Sequence, residues 1–600
     1  MRLRRRAVAR GAGALALLSA PSQPAKSATV RRVRPGDAGW PPQAAWDELN
    51  RAAGGHLSKV TPLLAACQDS PDSEACAAVL KGLRNPYYIG DQAAGTQTSG
   101  WLDAWQSAPS AYAVAAHTTA DVVAAVNFAR THRLRLVIKG GGHSYLGGSN
   151  VRDSLLVWTR PMAAVTLRDS FVGVGCGNRS QPVPAVSVQT GALWMPVYNA
   201  VTTSAGRYVQ GGGCATVGVA GLVLGGGFGS FSKRYGIAGA SLLEAEIVTA
   251  DGAVCVANAC THPDLYWALK GGGAGSLGAV TRLTLQTRDL PQFCGGVNGA
   301  IKASSDAAFH RLIAAFTEFY ATHLLNPHWG ESVTLQPDNV LSLSLVFHDL
   351  DQATAQQMFK PFQDFVAAAP TDYAMARTIR IGAMPAQHWW DPGYRGQHLP
   401  QTIVRDPRPG APDTNVWWAG NQDEVGIFVH GYESAWLPAA LLNNDRRPKL
   451  DEALFDASRH WGVMLHFNKG LAGAPADVLT AARDTAMNPA VTEAFALVII
   501  AHAGPAAYPG MPGDGPDLGA ARRDAAAITA AAGVLRELVP DAGSYVSEAS
   551  YADPDWRRRS FGKNYPRLLA VKRRYDPDGL FTTHHGVGSE EWSADGFTRI

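Results

Sequence analysis

The spacing of apolar and polar positions changes period several times along the chain, and each change predicts an element. Val122, Val123, Val126 and Ala129 recur at helical spacing, and the apolar run Leu134–Ile138 then reads as a strand. That strand leads directly into Lys139-Gly140-Gly141-Gly142-His143-Ser144-Tyr145, so His143 is expected just past a strand end. Further strands are expected at Leu155–Trp158, Val172–Val174 and Ala185–Gln189, with a helix over Trp194–Ser204. Ala245–Thr249 and Ala253–Val256 flank Asp251-Gly252, a hairpin turn signal. A short helix Asp264–Leu269, a glycine run and a strand around Leu283 and Leu285 follow.

Beyond about residue 290 the glycine runs stop. Helical stretches (Asp306–Tyr320, Ala353–Ala368) alternate with strand-like ones (Val340–Phe347, Glu424–Val429). Pro505–Pro516 reads as a loop and Leu518–Leu538 as an Ala/Arg-rich helix. Tyr565–Phe581 begins as a helix and is halted at Asp576-Pro577-Asp578-Gly579.

Six hundred residues exceed what one core holds. With 46% hydrophobic and 17% charged residues the chain is globular rather than disordered. A net charge of +3 with no basic stripe excludes a nucleic-acid partner. The first residues, Met1 to Arg6, are basic, and Gly11 to Leu18 form a short apolar core followed by small residues. That core is far below the ~20 residues needed to span a bilayer, so 1–29 is expected to be an export signal, resembling the twin-arginine kind, with no stable membrane insertion. Seven cysteines suit an exported, periplasmic or extracellular protein. Cys67 with Cys76 and Cys255 with Cys260 are each close enough in sequence for a clip, although spacing does not fix connectivity. No Cys-x-x-Cys pair occurs, and no metal is expected.

Three glycine loops dominate the first half. Gly273-x-Gly275-x-x-Gly278 matches a dinucleotide-binding string, but a helix precedes it and a strand follows, the reverse of what that motif requires. Gly225–Ser232 lacks the Gly-Lys-Ser/Thr ending of a P-loop. The loops still imply a ligand touched by backbone N–H groups at several points. Two of them carry a nucleophilic side chain, His143 and Cys214.

Gly141-Gly142-His143-Ser144-Tyr145 followed by Gly213-Cys214-Ala215-Thr216-Val217-Gly218 resembles the berberine-bridge-enzyme-like FAD-linked oxidoreductases of the vanillyl-alcohol-oxidase superfamily. Asp264–Gly273, Asn564–Leu568 and Tyr575–Phe581 add matching segments in the same order. The resemblance implies an α+β fold: a two-subdomain PCMH-type FAD-binding domain and a separate α/β substrate domain with an antiparallel sheet covered by helices. The division it implies is an N-terminal extension at 30–85, the FAD domain at 86–290, the substrate domain at 291–540 and a returning segment at 541–600. It also implies bicovalent FAD, held by His143 at the 8α-methyl and by Cys214 through sulfur at C6. Lys139, Gly140, Gly141, Gly142, Ser144, Tyr145, Gly213, Thr216, Val217, Gly218, Gly221, Gly225, Asn564 and Tyr565 are the other expected cofactor contacts. A neutral imidazole and a thiolate are both nucleophiles suited to such attachment. Valine at 217, where the family controls oxygen access, resembles the oxidases.

The expected reaction is hydride transfer from an alcohol-type small molecule, a carbohydrate or secondary metabolite, with O2 as acceptor and H2O2 as product. The alternatives are a dehydrogenase serving a quinone or cytochrome and a secreted binding protein without redox activity. Tyr545, in Ser544-Tyr545-Val546-Ser547, is the candidate base, with Ser547 where the family often has Asn. Its phenol, ordinarily near ~10, would need lowering for that role. His466 and Glu331 are weaker candidates, with His466 and Asn468 expected on one strand face. The pairs Trp389-Trp390 and Trp417-Trp418 are expected in the core. His584 and His585 are expected on opposite faces of a strand.

Overall fold

The computed structural model describes residues 30–507 and 515–600. The expected export signal lies outside these residues, as does the middle of the 505–516 loop. Three sheets organise the rest. A four-stranded sheet runs in the order Leu57–Lys59, Tyr112–Ala115, Ser154–Trp158, Arg135–Lys139. Its last three strands are parallel, and the helix Thr119–Thr131 forms the crossover. That helix starts at a reciprocal cap between Thr118 and Asp121, which satisfies its first free N–H groups.

The second sheet is antiparallel and centred on the long strand Ala279–Asp289, which pairs with Leu242–Val248, Val183–Gln189 and Arg207–Val209. Leu242–Val248 and Val254–Asn258 form the hairpin expected around Asp251-Gly252. The strand anticipated at Val172–Val174 is instead Val165–Phe171, because Gly173 and Gly175 break the ladder there. Trp194–Tyr198 continues as a π-helical turn, Asn199–Ser204.

The third sheet has nine strands, all antiparallel except one pair, Ile427–Pro438 with Thr98–Trp101. Helices Asp306–Phe319, Gln352–Ala367, Arg447–His460 and Leu518–Leu538 cover one face. They bury Phe309, Phe316, Phe359, Phe362, Leu454 and Leu535 against it. The expected strand at Glu424–Val429 begins later, at Ile427, because Ala419–Glu424 coils into a 3-10 turn.

Sequence boundaries are not spatial ones. Leu57–Lys59, from the expected extension, pairs with Tyr112–Ala115, and Trp46 stacks on Tyr112 at 4.0 Å. Thr98–Gln106 crosses into the nine-stranded sheet. Trp390 and Trp417 reach back to the cofactor half: Trp390 stacks on Tyr198 at 4.0 Å, and Trp417 lies 6.2 Å from Tyr87. Disulfides join Cys67 to Cys76 and Cys176 to Cys260. The Cys255–Cys260 alternative is therefore not the pairing formed: Cys255 is free, and the turn after Asn258 carries Cys260 to Cys176 instead.

Candidate active site

The strand Arg135–Lys139 delivers the His143 loop to the floor of a cavity of about 1580 Å³. The loop is fixed from behind. Lys139 is buried and its ammonium donates to the carbonyls of Gln92, Ala93 and Gly95, so its charged end holds neighbouring backbone rather than pointing at a ligand. Without a carboxylate partner, burial pulls its pKa down to about 7.

The Cys214 loop closes against the His143 loop, backbone to backbone. A Cβ on Gly141 would sit 2.8 Å from the Gly218 nitrogen and 3.1 Å from the Thr216 carbonyl oxygen. Only glycine permits this approach. Both reactive side chains then meet one hydroxyl: His143 Nε2 lies 3.2 Å, and Cys214 Sγ 3.6 Å, from Thr216 Oγ1. Desolvation lowers the imidazole to about pKa 4, so His143 is neutral across the physiological range. Desolvation, aided by the Glu424 charge, raises the Cys214 thiol, opposed by hydrogen bonds from Thr216 and Val217.

Gly140, Gly142, Ser144, Tyr145, Gly213, Val217 and Gly221 also line the cavity, as do Gly273, Gly275 and Gly278 of the third loop. Asn564 and Tyr565 do not. Asn564 donates to the carbonyls of Thr485 and Met487, and the Tyr565 hydroxyl bonds to Glu590, so both brace the wall from outside. Gly225 is also behind the surface, under Tyr545: a Cβ there would meet the phenol oxygen at 3.4 Å. Thr216 lines only a small side pocket shared with His143 and Cys214.

His584 and His585 lie in a turn, not a strand, and face each other at 3.9 Å rather than pointing apart. Both line the cavity, His584 stacked on Tyr551 at 3.6 Å and His585 on Trp556 at 5.2 Å. The tryptophan pairs are largely core, as expected, although Trp418 Nε1 donates to the Gly213 carbonyl at 2.8 Å and steadies the Cys214 loop.

The opposite wall comes from turns and loops packed beside the nine-stranded sheet and is charged. Lys469 pairs with Glu548 at 2.5 Å, and Glu548 and Glu424 line the cavity. Glu424 is open to the cavity although protein surrounds it, and this desolvation raises its carboxyl, with the Glu548 charge adding to the effect. Glu331, held at a positive φ of 62° and bonded by the Ser230 hydroxyl, is likewise raised by burial. Its carboxylate lies against the Gly213 backbone, outside the main cavity lining. His466 is lowered well below its ordinary value by burial and by Lys469. The strand ends at His466 and a 3-10 turn takes Phe467–Lys469, so His466 and Asn468 are not related by strand alternation. Tyr545 reaches the cavity edge-on to Phe228 at 5.1 Å. Burial and the Glu548 charge push its phenol upward, opposite to the shift a base requires. Glu424, Glu548 and Lys469 escaped the sequence reading because no local motif marks them.

The cavity is larger than the usual 300–1,000 Å³ of a small-molecule site. Four buried polar atoms of residues along it, Arg135 Nε, Asn150 Oδ1, Thr190 Oγ1 and His585 Nδ1, lack a partner. A long, polar, glycine-lined cradle with unmet donors and acceptors fits FAD.

The matches to known proteins agree. Residues 109–258 match the family described as FAD binding domain, and residues 539–588 match berberine and berberine like. The VAO-type flavoprotein oxidase VAO615 of Thermothelomyces thermophilus is 28% identical over 608 residues, covering 95% of each chain. The FAD-linked oxidoreductase malF of Malbranchea aurantiaca is 28% identical over 623 residues, covering 97% of this chain and 96% of that one. The crystal structure of the VAO-type flavoprotein MtVAO615 from Myceliophthora thermophila C1 superposes with a TM-score of 0.76 at 25% identity, covering 95% of this chain and all of that one. A glucooligosaccharide oxidase from Acremonium strictum, titled for its 6-S-cysteinyl, 8α-N1-histidyl FAD, shares the fold with a TM-score of 0.63 at 17% identity, covering 90% of this chain and 99% of that one. Fold and site together define an FAD-linked oxidoreductase. More narrowly, the chain carries an FAD-binding domain and a berberine-like segment, and it is similar along nearly its whole length to VAO-type and berberine-bridge-enzyme-like flavoproteins, with an α+β, PCMH-type architecture.

Proposed function

We propose that this protein is an exported oxidase that holds FAD through both His143 and Cys214, takes hydride from an alcohol-type substrate and passes the electrons to O2, releasing H2O2. The observation that carries this reading is the convergence of a neutral imidazole and a thiol on Thr216, at a cavity lined by three glycine loops. FAD supplies the two-electron acceptor, which no side chain provides. Two disulfides among the described residues suit an oxidising compartment. Val217, a small side chain lining the cavity with Cys214, supports oxygen as the acceptor.

The chain's own part is to orient a C–H bond and receive the hydroxyl proton. With its phenol pushed upward, Tyr545 acts as a hydrogen-bond donor that orients the substrate hydroxyl. Glu424, open to the cavity and raised toward neutrality, receives the proton. The decisive experiment is a screen of alcohols and oligosaccharides for flavin bleaching under nitrogen, followed by admission of air. Rapid reoxidation supports the oxidase; reoxidation no faster in air than with a quinone under nitrogen would make it a dehydrogenase. Glu424→Gln should lower kcat by about 10²-fold, the usual contribution of a general base, and more than Tyr545→Phe does.

A further inference from the structure

On the far face of the nine-stranded sheet, away from the cavity, two strands and a helix bring together His430, His502 and Asp524. Their ligating atoms all lie within 4.8 Å of one another. We propose that these three residues form a binding site for a divalent transition-metal cation of the zinc type, which fastens the helix Leu518–Leu538 to the sheet.

The local construction is specific. Along Ile427–Pro438, Tyr432 faces the cavity side, where it meets Tyr145 at 5.6 Å. Gly431 and Glu433 face the helix, Glu433 through an ion pair with Arg536. Strict alternation would place His430 with Tyr432, on the cavity side. It does not lie there. Val429 pairs with Ala503 and Gly431 with His502, so His430 is the extra residue of a β-bulge. Bulges re-aim side chains, and this one turns His430 to the helix side, next to His502, which shares that face as the partner of Gly431.

Two glycines complete the pocket. A Cβ on Gly504 would lie 2.5 Å from His430 Nε2, so the ring rests directly on bare backbone. A Cβ on Gly431 would meet Ile528 at 3.2 Å and the Ala525 backbone at 3.5 Å, so glycine there lets the helix come close enough to present Asp524.

The distances suit a small tetrahedral ion. Asp524 Oδ2 is 2.7 Å from His430 Nδ1 and 3.7 Å from His502 Nε2. These bracket the ~3.3 Å ligand–ligand edge expected for metal bonds of ~2.0–2.1 Å. Two imidazoles and one carboxylate are the donor set of zinc and its neighbours rather than of calcium or magnesium, which take oxygen ligands. His430 is 7% exposed, which fixes one ligand, while the His502 side chain is 45% exposed, which leaves a fourth position open to water. The hydrogen bond between His430 Nδ1 and Asp524 Oδ2 is the metal-free arrangement of the same atoms.

The test uses tag-free, flavin-loaded protein stripped with a chelator and then titrated with Zn2+ by calorimetry and with Co2+ by visible absorption. The expected result is one saturable Zn2+ per chain and intense four-coordinate Co2+ bands to the red of the flavin. His430 is buried, so the substitutions fall on its partners. His502→Ala and Asp524→Asn should each weaken Zn2+ binding by more than about tenfold, the least that loss of even an outer-shell partner costs. Zn2+ should also raise the Tm of the parent protein and not that of His502→Ala. Absence of saturable Zn2+ binding, six-coordinate Co2+ bands, or binding unchanged in both variants would overturn the site.

Discussion

The two walls of the cavity are built on opposite principles. The cofactor wall is mostly backbone. Glycine meets glycine at Gly141 and Gly218, and the buried Lys139 beneath them is turned away to hold carbonyls. The wall beside the nine-stranded sheet, or sheet wall, is built from turns and loops whose side chains carry charge, with Glu424 and Glu548 beside Lys469. A wall of backbone fixes shape and suits one resident group. A wall of long side chains sets chemistry and can vary without disturbing the fold.

The first way to test this contrast is to remove the cation from the sheet wall. Lys469→Met leaves Glu548 without its partner in a largely buried setting, where the side chains are 12% and 19% exposed. Breaking such a pair costs about 3–5 kcal/mol, read as a lower denaturant midpoint, and Lys469→Met with Glu548→Gln should recover most of it. If the single variant is as stable as the parent, the charged wall is not structural.

The cofactor wall should show a pH effect instead. Burial holds His143 at about 4, below the ~6.5 of an unfolded histidine. Between those values the unfolded state binds more protons than the native one. The stability from keeping this imidazole neutral is therefore complete above about pH 6.5 and falls as pH drops toward 4, by up to about 3 kcal/mol. Apoprotein unfolding curves should show this decline, and in His143→Asn apoprotein it should be shallower by up to about 3 kcal/mol, the remainder coming from other buried histidines such as His466.

A smaller effect separates backbone from side-chain construction. Gly141→Ala places a methyl group against Gly218 and should cost about 1–3 kcal/mol, with slower flavin incorporation. Unchanged stability and incorporation would show that the two loops are not in tight register.

The same contrast explains what could be read from the chain alone. The cofactor wall is contiguous: His143 and Cys214 each carry their glycines beside them, so local strings reveal both the residue and its surroundings. The helix Leu518–Leu538 and the strand leading to His143 were legible because their periodicity is unbroken. The sheet wall is assembled from residues far apart, Glu424, Lys469 and Glu548, which no spacing rule links. Asn564 and Tyr565 matched a motif, yet the motif records a brace behind the cavity and not a contact within it. Cys255 and Cys260 were adjacent enough to suggest a clip, but spatial proximity chose Cys176 across 84 residues. The expectation of no metal rested on spacing as well, and a cluster such as His430, His502 and Asp524, proposed above as a metal site, is invisible to spacing because a bulge and a helix bring it together.

The most direct test of the two-anchor account is proteolysis of the denatured holoprotein followed by mass spectrometry of the yellow peptides. The account predicts one flavin joining the peptide that contains His143 to the peptide that contains Cys214, reduced to a single flavinylated peptide in either Ala variant. Flavin released free on denaturation, or carried by a peptide containing neither residue, would contradict it.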